Sequence, residues 1–283
     1  LLGPSQRKAA VRALQETGLS QRAACRISGC ARSVAQYRIR RTDEPRLVER
    51  LTSIAMERRR FGYRRLALML RREGMVVNHK RVHRIYRKLG LQLRPRRKRG
   101  VRYVRGNSIP AVSRSNERWS VDFVHDRLST GRKFRMLTIV DDFSRECIAI
   151  ETDFSFPSAR VIRSLERIRD SRALPAIIKS DNGSEFCSEL MLKWSAERSI
   201  DLHFIEPGKP NQNATIESFN GRFRDELLNE RAFPTIFHAR SAIEEWRMDY
   251  NQRRPHTQLG GLTPAEFIMQ NLNSLDSRSS LAS

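Results

Sequence analysis

No apolar run in this sequence approaches the roughly 20 residues that a membrane-crossing helix needs, so no membrane is expected among its partners. The first residues, Leu1-Leu2-Gly3-Pro4-Ser5-Gln6-Arg7-Lys8, hold too few apolar side chains for a secretory signal. A cytoplasmic, nucleoid-associated protein is expected. Cysteine is scarce: Cys25, Cys30, Cys147 and Cys187 stand without paired spacing, as suits a reducing compartment. His79 and His83 sit at i, i+4 and could share a zinc ion, but no Cys-x-x-Cys follows them, and Cys25 and Cys30 precede them at the wrong spacing. There is no internal repeat, no long low-complexity tract, and no motif for a Ser-His-Asp nucleophile.

Acidic residues are nearly missing from the first two-fifths of the chain. Residues 1–115 carry 31 Lys+Arg against 6 Asp+Glu, a net +25, whereas residues 116–283 carry 23 against 25, a net −2. The chain's total of +23 therefore resides at one end. Such a concentration repels itself without an anionic partner, and nucleic acid is the partner it suits. Arginine dominates the excess, which favours bidentate phosphate and guanine contacts over general solubility.

The basic part reads as short helices. Ser20 can cap a helix to about Ile27, Ser28-Gly29-Cys30 makes a turn, and Ala31–Ile39 resumes, a helix-turn-helix-like segment over 1–42. Residues 45–92 read as a basic three-helix DNA-binding domain. Its first two helices place Leu47, Leu51, Ile54 and Ala55, then Tyr63, Leu66, Ala67 and Leu70, on apolar faces, with Gly74 as a stop. Asn78 can cap the third, whose stripe is Val82, Ile85, Tyr86 and Leu89. The opposite face carries Lys80, Arg81, Arg84, Arg87 and Lys88, all of one sign, which fits a helix lying on DNA. A basic linker, 93–116, contains Arg94-Pro95-Arg96-Arg97-Lys98-Arg99-Gly100.

From Arg118 the pattern turns to strands. Trp119–Val124, Phe134–Val140 and Glu146–Glu151 follow in quick succession, as an antiparallel meander. Then come a helix over Ser158–Asp170, a short strand Ala176–Ser180, a helix near Ser188–Arg198 and a strand Leu202–Ile205. A Pro/Gly/Asn-rich loop, Glu206–Asn213, precedes a long helix from about Ala214, and a last helix spans His238–Asn251. The tail, 271–283, is expected to be disordered. This order implies an α/β, ribonuclease-H-like core over 117–270: a mixed five-stranded sheet with flanking helices, preceded by the all-α region.

Three acids stand out by position. Asp122 lies mid-strand opposite Val121 and Phe123, Asp181 ends a buried strand at a Gly-containing turn, and Glu217 falls in the first turn of a helix. Singly, each suits a bland role: an exposed strand residue, a turn former, a dipole partner. Together in one fold they form the oxygen-ligand set that Mg²⁺ or Mn²⁺ needs for phosphodiester chemistry, with two ions expected. His125, close by, is expected to be a packing or strand-end residue.

Residues 118–267 resemble the integrase core of insertion-sequence transposases, in particular the second-frame proteins of the family named after insertion sequence 3, relatives of retroviral integrases. The resemblance is carried by Trp119-Ser120-Val121-Asp122-Phe123, by Lys179-Ser180-Asp181-Asn182-Gly183-Ser184-Glu185-Phe186, and by Asn211-Gln212-Asn213-Ala214-Thr215-Ile216-Glu217-Ser218-Phe219-Asn220-Gly221. The 35 residues between Asp181 and Glu217 match the family's spacing. Tyr250-Asn251-Gln252-Arg253-Arg254-Pro255-His256 and Leu259-Gly260-Gly261-Leu262-Thr263-Pro264-Ala265-Glu266 are also characteristic. Upstream, Phe61-Gly62-Tyr63-Arg64-Arg65-Leu66 and Asn78-His79-Lys80-Arg81-Val82 resemble the family's helical domain. Thr215 departs from the pattern, which has a large residue there.

The resemblance implies metal-dependent cleavage and strand transfer at element ends, with Asp122, Asp181 and Glu217 as both catalytic residues and metal ligands. Water, then a DNA 3′-hydroxyl, would attack in line. It also implies an oligomer on DNA and a small first-frame partner protein; Leu1 at the first position is consistent with a frame-fused or trimmed product. Arg224 follows Glu217 by seven residues, about two helical turns, with Asn220 beside them, and the family's pattern implies that this face grips DNA. Two rival readings are a ribonuclease-H-class nuclease without strand transfer, and a domesticated or inactive transposase acting as a DNA-binding protein.

Overall fold

The computed structural model describes residues 3–36, 44–93, 111–206 and 213–279. The run Arg94–Gly100, most of the linker and most of the loop before Ala214 lie outside the described residues. The chain divides into two compact units, Leu1–Glu49 and Arg50–Ser283.

The first unit holds α1 (Pro4–Glu16), α2 (Gln21–Ser28) and α3 (Arg32–Gln36). Ser20 caps α2 by accepting from the Ala23 amide, and Gly29 ends it in the left-handed conformation that a side chain disfavours. Its core is small, built on Val11, Ala24, Cys25 and Cys30.

The division falls inside α4 (Pro45–Glu57), which is followed by α5 (Tyr63–Arg72) and α6 (His79–Lys88). The expected apolar faces are buried through Leu51, Ile54, Leu66, Leu70, Val82, Ile85 and Tyr86. Asn78 caps α6 at the Lys80 amide, and Gly74 has φ 82°. The part from Arg50 onward falls in the same compact unit as the sheet. The physical reason is a set of ion pairs between arginines and acids of the later helices: Arg58–Asp249 at 2.5 Å, Arg60–Glu230 at 2.8 Å and Arg72–Glu266 at 2.5 Å.

The sheet has the order β3-β2-β1-β4-β5. Strands β1 (Arg118–Arg127), β2 (Lys133–Asp141) and β3 (Cys147–Asp153) form the antiparallel meander; β4 (Ile177–Ser180) and β5 (Asp201–Phe204) run parallel to β1 and to each other. This is the ribonuclease-H-like arrangement that the sequence pattern implied. Alternation along the strands splits the core in two. Trp119, Val121, Leu137 and Ile139 join Val161, Leu165, Met191 and Trp194 of α7 (Ser158–Arg169) and α8 (Glu189–Glu197). On the other face, Val124, Met136 and Val140 meet α9 (Ala214–Phe223) and α10 (Ile236–Gln252).

Helix α9 does not continue as one long helix. It widens into a π-helical turn, Arg224–Leu228, which buries both Leu227 and Leu228. A further helix, α11, spans Pro264–Ser279. It replaces much of the expected disordered tail, with Thr263 and Glu266 exchanging backbone-to-side-chain hydrogen bonds in a capping box at its start.

The Tyr250–His256 motif is a brace. Tyr250 packs on Phe219 and Trp246, and the Asn251 amide both donates to and accepts from the Cys147 backbone at 2.9 Å. Arg254, 2% exposed, donates through Nε and Nη2 to Glu226 in the π-turn. Arg254→Ala leaves half-buried Glu226 with only the looser Arg65 contact at 3.7 Å and should cost about 1.5–3 kcal/mol, read by urea denaturation, with Arg254→Lys losing less. An alanine variant within about 0.5 kcal/mol of wild type, the range of a neutral surface change, would show that this pair is no brace.

Candidate active site

The two aspartates are placed by strand register. Ser120 of β1 lies opposite Lys179 of the neighbouring parallel strand β4. Two residues on, with side chains returning to the same face, stand Asp122 and Asp181. That face is the one covered by α9, which brings Glu217. All three acids thus come from the elements the sequence assigned them to.

Asp122 is held tightly. Its Oδ1 accepts from the Phe123 amide at 2.7 Å and its Oδ2 from Asn220 Nδ2 at 2.8 Å. Its own carbonyl accepts from Thr138 Oγ1 at 3.0 Å. Asp181 is exposed just past β4, and its Oδ1 accepts from the Gly183 amide at 3.1 Å. The loop after it is pinned by Asn182 Nδ2 on the Ile205 carbonyl, by the Arg135–Glu185 ion pair at 2.5 Å, and by Phe186 against the Phe123 ring. A side chain at Gly183 would put a Cβ 3.0 Å from Asp181 Oδ1 and 3.2 Å from Glu185 Oε2, so a substitution there would crowd the Asp181 carboxylate.

Glu217 is exposed on the first turn of α9. Ile216, Phe219 and Phe223, at helical spacing, bury the other side of that helix against the sheet. Arg145, beyond the β2 turn, donates from Nη1 to Thr215 Oγ1 at 2.6 Å. Thr215, the departure from the family pattern, is therefore a polar contact rather than a packing residue.

The electrostatics mark Asp122. Burial, then the like charges of Asp181 and Glu217, push its carboxyl up to about 6, against the opposing hydrogen bonds from Phe123 and Asn220. Partial desolvation by the neighbouring groups also raises Glu217 from its ordinary value. A carboxylate held in a field of like charge, as Asp122 is, fits a divalent cation, which would relieve the repulsion. Among the described residues, no three His, Cys, Asp or Glu side chains stand close enough to hold a metal ion as placed.

The other expected site residues are spread more widely. Asn220 is buried, with its amide donated to Asp122. Arg224 is exposed where α9 gives way to the π-turn, and its Nη1 donates to the His125 carbonyl at 3.2 Å. Lys80, Arg84 and Arg87 are exposed on α6 and Arg81 is half-buried. His83 packs against the Tyr63 ring with centroids 4.4 Å apart.

Sequence reasoning missed the cluster beneath the aspartates. Asp142, buried at the end of β2, accepts from Ser120 Oγ at 2.6 Å, Arg118 Nε at 2.7 Å and Lys179 Nζ at 3.0 Å. A lysine inside a four-residue buried strand was the available signal, since such a charge needs a buried partner.

A family model described as an integrase core domain matches residues 112–210, a second of the same description matches 198–264, and an HTH-like domain matches 42–99. The HTH-like match thus falls on the expected three-helix domain rather than on 1–42. The chain is similar to a 31.7 kDa protein of insertion element IS407 from Burkholderia multivorans, 44% identical over 93% of this chain and 95% of the relative. It is also similar to the putative transposase InsK of insertion sequence element IS150 from Escherichia coli, 29% identical over 87% of this chain and 92% of the relative. Among solved structures, the magnesium complex of the HTLV-2 integrase catalytic core covers 54% of this chain and 95% of its own at 19% identity, with a TM-score of 0.44. The chain belongs to the insertion-sequence transposase family with an integrase core. No helix among the described residues is long and apolar enough to cross a membrane.

The Asp122 shift carries a stability consequence. A carboxyl whose folded pKa is raised favours the fold below its unfolded value, near 3.8, and that contribution is lost as pH rises through about 6. In chelator, Asp122→Asn should therefore melt above wild type at pH 7–8, by on the order of 2 kcal/mol, and the gap should close towards pH 4. A gap that does not vary with pH would place the ionised Asp122 in no unfavourable field.

Proposed function

We propose that this protein cleaves DNA at the ends of an insertion sequence and joins the freed strands to new DNA, with Asp122, Asp181 and Glu217 as the catalytic set. One observation supports this above others: the register that seats Asp122 beside Asp181 also leaves Asp122 in a field of like charge, turned towards the helix that carries Glu217.

The three carboxylates would hold Mg²⁺ or Mn²⁺, two ions being the natural number. The bound metal supplies Lewis-acid stabilisation of the attacking and leaving oxygens of an in-line displacement. The chain's own residues do the rest. Asn220 orients Asp122 so that its free lone pairs face the substrate side, and Gly183 does the same for Asp181 through its backbone amide. Phe219 and Phe223 fix the angle at which α9 presents Glu217. Arg224 lies at the rim on the β1 side and supplies a fixed positive charge for a phosphate next to the scissile one. Helix α6 gives the longer grip, with Lys80, Arg81, Arg84 and Arg87 meeting the duplex backbone or bases. The working form would be an oligomer that bridges two ends, assisted by the small first-frame protein of the same element.

Asp122→Asn, Asp181→Asn and Glu217→Gln should each abolish cleavage and joining of a labelled element end while leaving DNA affinity nearly intact. One variant near wild-type activity removes that residue from the set. Activity should require Mg²⁺ or Mn²⁺ and fail with Ca²⁺, whose longer and looser coordination does not suit the displacement. Cleavage without joining would favour the nuclease reading, and binding without cleavage the inactive one.

The charged grips are separable. Arg224→Ala should slow single-turnover cleavage about tenfold or more, with partial recovery in Arg224→Lys, since a point charge still meets phosphate. Replacing Lys80, Arg84 and Arg87 by alanine should weaken binding at all sequences and flatten the salt dependence by about one log unit per lost phosphate contact. A salt slope identical to wild type would take α6 off the DNA.

A further inference from the structure

We propose that the turn between β2 and β3 is a positioning device for the three carboxylates. Asp142 locks the two aspartate strands to each other from beneath, and Arg145 ties the glutamate helix to the same turn. The inference rests on the reading of Asp122, Asp181 and Glu217 as the catalytic set.

Each carrier of the triad meets this turn. On β1, Ser120 Oγ donates to Asp142 Oδ1 at 2.6 Å and Arg118 Nε to Oδ2 at 2.7 Å. On β4, Lys179 Nζ donates to the same Oδ2 at 3.0 Å. Ser120 and Lys179 are opposite one another in register, and each precedes its aspartate by two residues on the same face. Asp142 therefore clamps the two strands one pleat, roughly 6–7 Å, below the acids. On α9, Thr215 Oγ1 receives Arg145 Nη1 at 2.6 Å, two residues before Glu217.

A template must itself be rigid, and this turn is. Asp141 Oδ1 accepts from the amides of Phe143 and Ser144 and from Ser144 Oγ, at 2.7–3.0 Å. Asp141 Oδ2 accepts from the Asn116 amide at 2.8 Å, just ahead of β1. The Asp142 amide donates to the Arg118 carbonyl at 3.0 Å. Arg145 sits at φ 62°, a left-handed conformation that a non-glycine residue keeps only when its surroundings impose it. Phe143 packs its ring on Phe267 of α11, 5.4 Å between centroids. None of these side chains is placed among the three acids, so their role is to hold the geometry and not to react.

The test uses the full chain and substitutions that strand no charge. Ser120→Ala removes one hydroxyl from the Asp142 clamp. Thr215→Val removes the acceptor for Arg145, and Thr215→Ser keeps it. Single-turnover cleavage should fall about fivefold or more in Ser120→Ala and Thr215→Val, while the Kd for an element end and the melting midpoint stay close to wild type. Thr215→Ser should recover the rate. Without DNA or metal, hydrogen exchange in Thr215→Val should quicken in the peptide covering 213–218 and not in α10. Wild-type rates in both variants, equal losses in Thr215→Val and Thr215→Ser, or unchanged exchange at 213–218 would overturn the proposal. Failure of the wild-type chain to cleave would instead strike the catalytic reading, and the exchange measurement would still decide the turn.

Discussion

Asp142 is a fully buried carboxylate, and burying an unpaired ion costs several kcal/mol even after relaxation. The fold meets that cost with a guanidinium, an ammonium and a hydroxyl drawn from two different strands. Burial pushes its carboxyl up, but Lys179, Ser120 and Arg118 more than offset this, and the group ends below the usual carboxylate range. The strands cannot slip without breaking these contacts: a shift of one residue would turn Ser120 and Lys179 to the other face. The pairing of β1 with β4 is thereby fixed at the level where Asp122 and Asp181 emerge.

Asp122 is the counterpart that the fold leaves unsatisfied. It lies on the same sheet face as Ser120, accepts hydrogen bonds from one amide and one carboxamide, and faces two further acids instead of a cation. Its proton affinity rises where that of Asp142 falls. Two aspartates about one pleat apart are thus tuned in opposite directions, Asp142 by cationic and hydroxyl partners and Asp122 by burial and like charge.

The strands, their order and the three acids were legible because each depends on local pattern: alternation in β1, a short apolar run ending in Asp-Asn-Gly, a helix start after a Pro/Gly/Asn-rich loop. The tie between Asp142 and Lys179 spans 37 positions of sequence and leaves no periodic trace. Doubled acids at Asp141-Asp142 look like ordinary turn chemistry, and only the fold shows that one stiffens the turn while the other is buried. The role of Thr215 was hidden for the same reason, since its partner Arg145 comes from a turn 70 residues away. The π-turn was invisible too: an extra residue in a helix changes which side chains are buried, not which residue types occur.

Part of the basic charge is paired within the protein itself. Of the arginines in the basic region, Arg50, Arg58, Arg60 and Arg72 pair with acids of the same unit, so their charge is spent on holding the helices to each other and to the core. Arg58 and Arg72 make bidentate pairs with acids on α10 and α11, a geometry a lysine could not reproduce. Part of the arginine bias is therefore architectural, and it joins the HTH-like helices to the elements that back the candidate site. Arg65 extends the same link, 3.7 Å from Glu226 in the turn that directly follows the Glu217 helix. Arg65 of α5 and the buried Arg254 of the Tyr250–His256 brace thus meet at one carboxylate, Glu226.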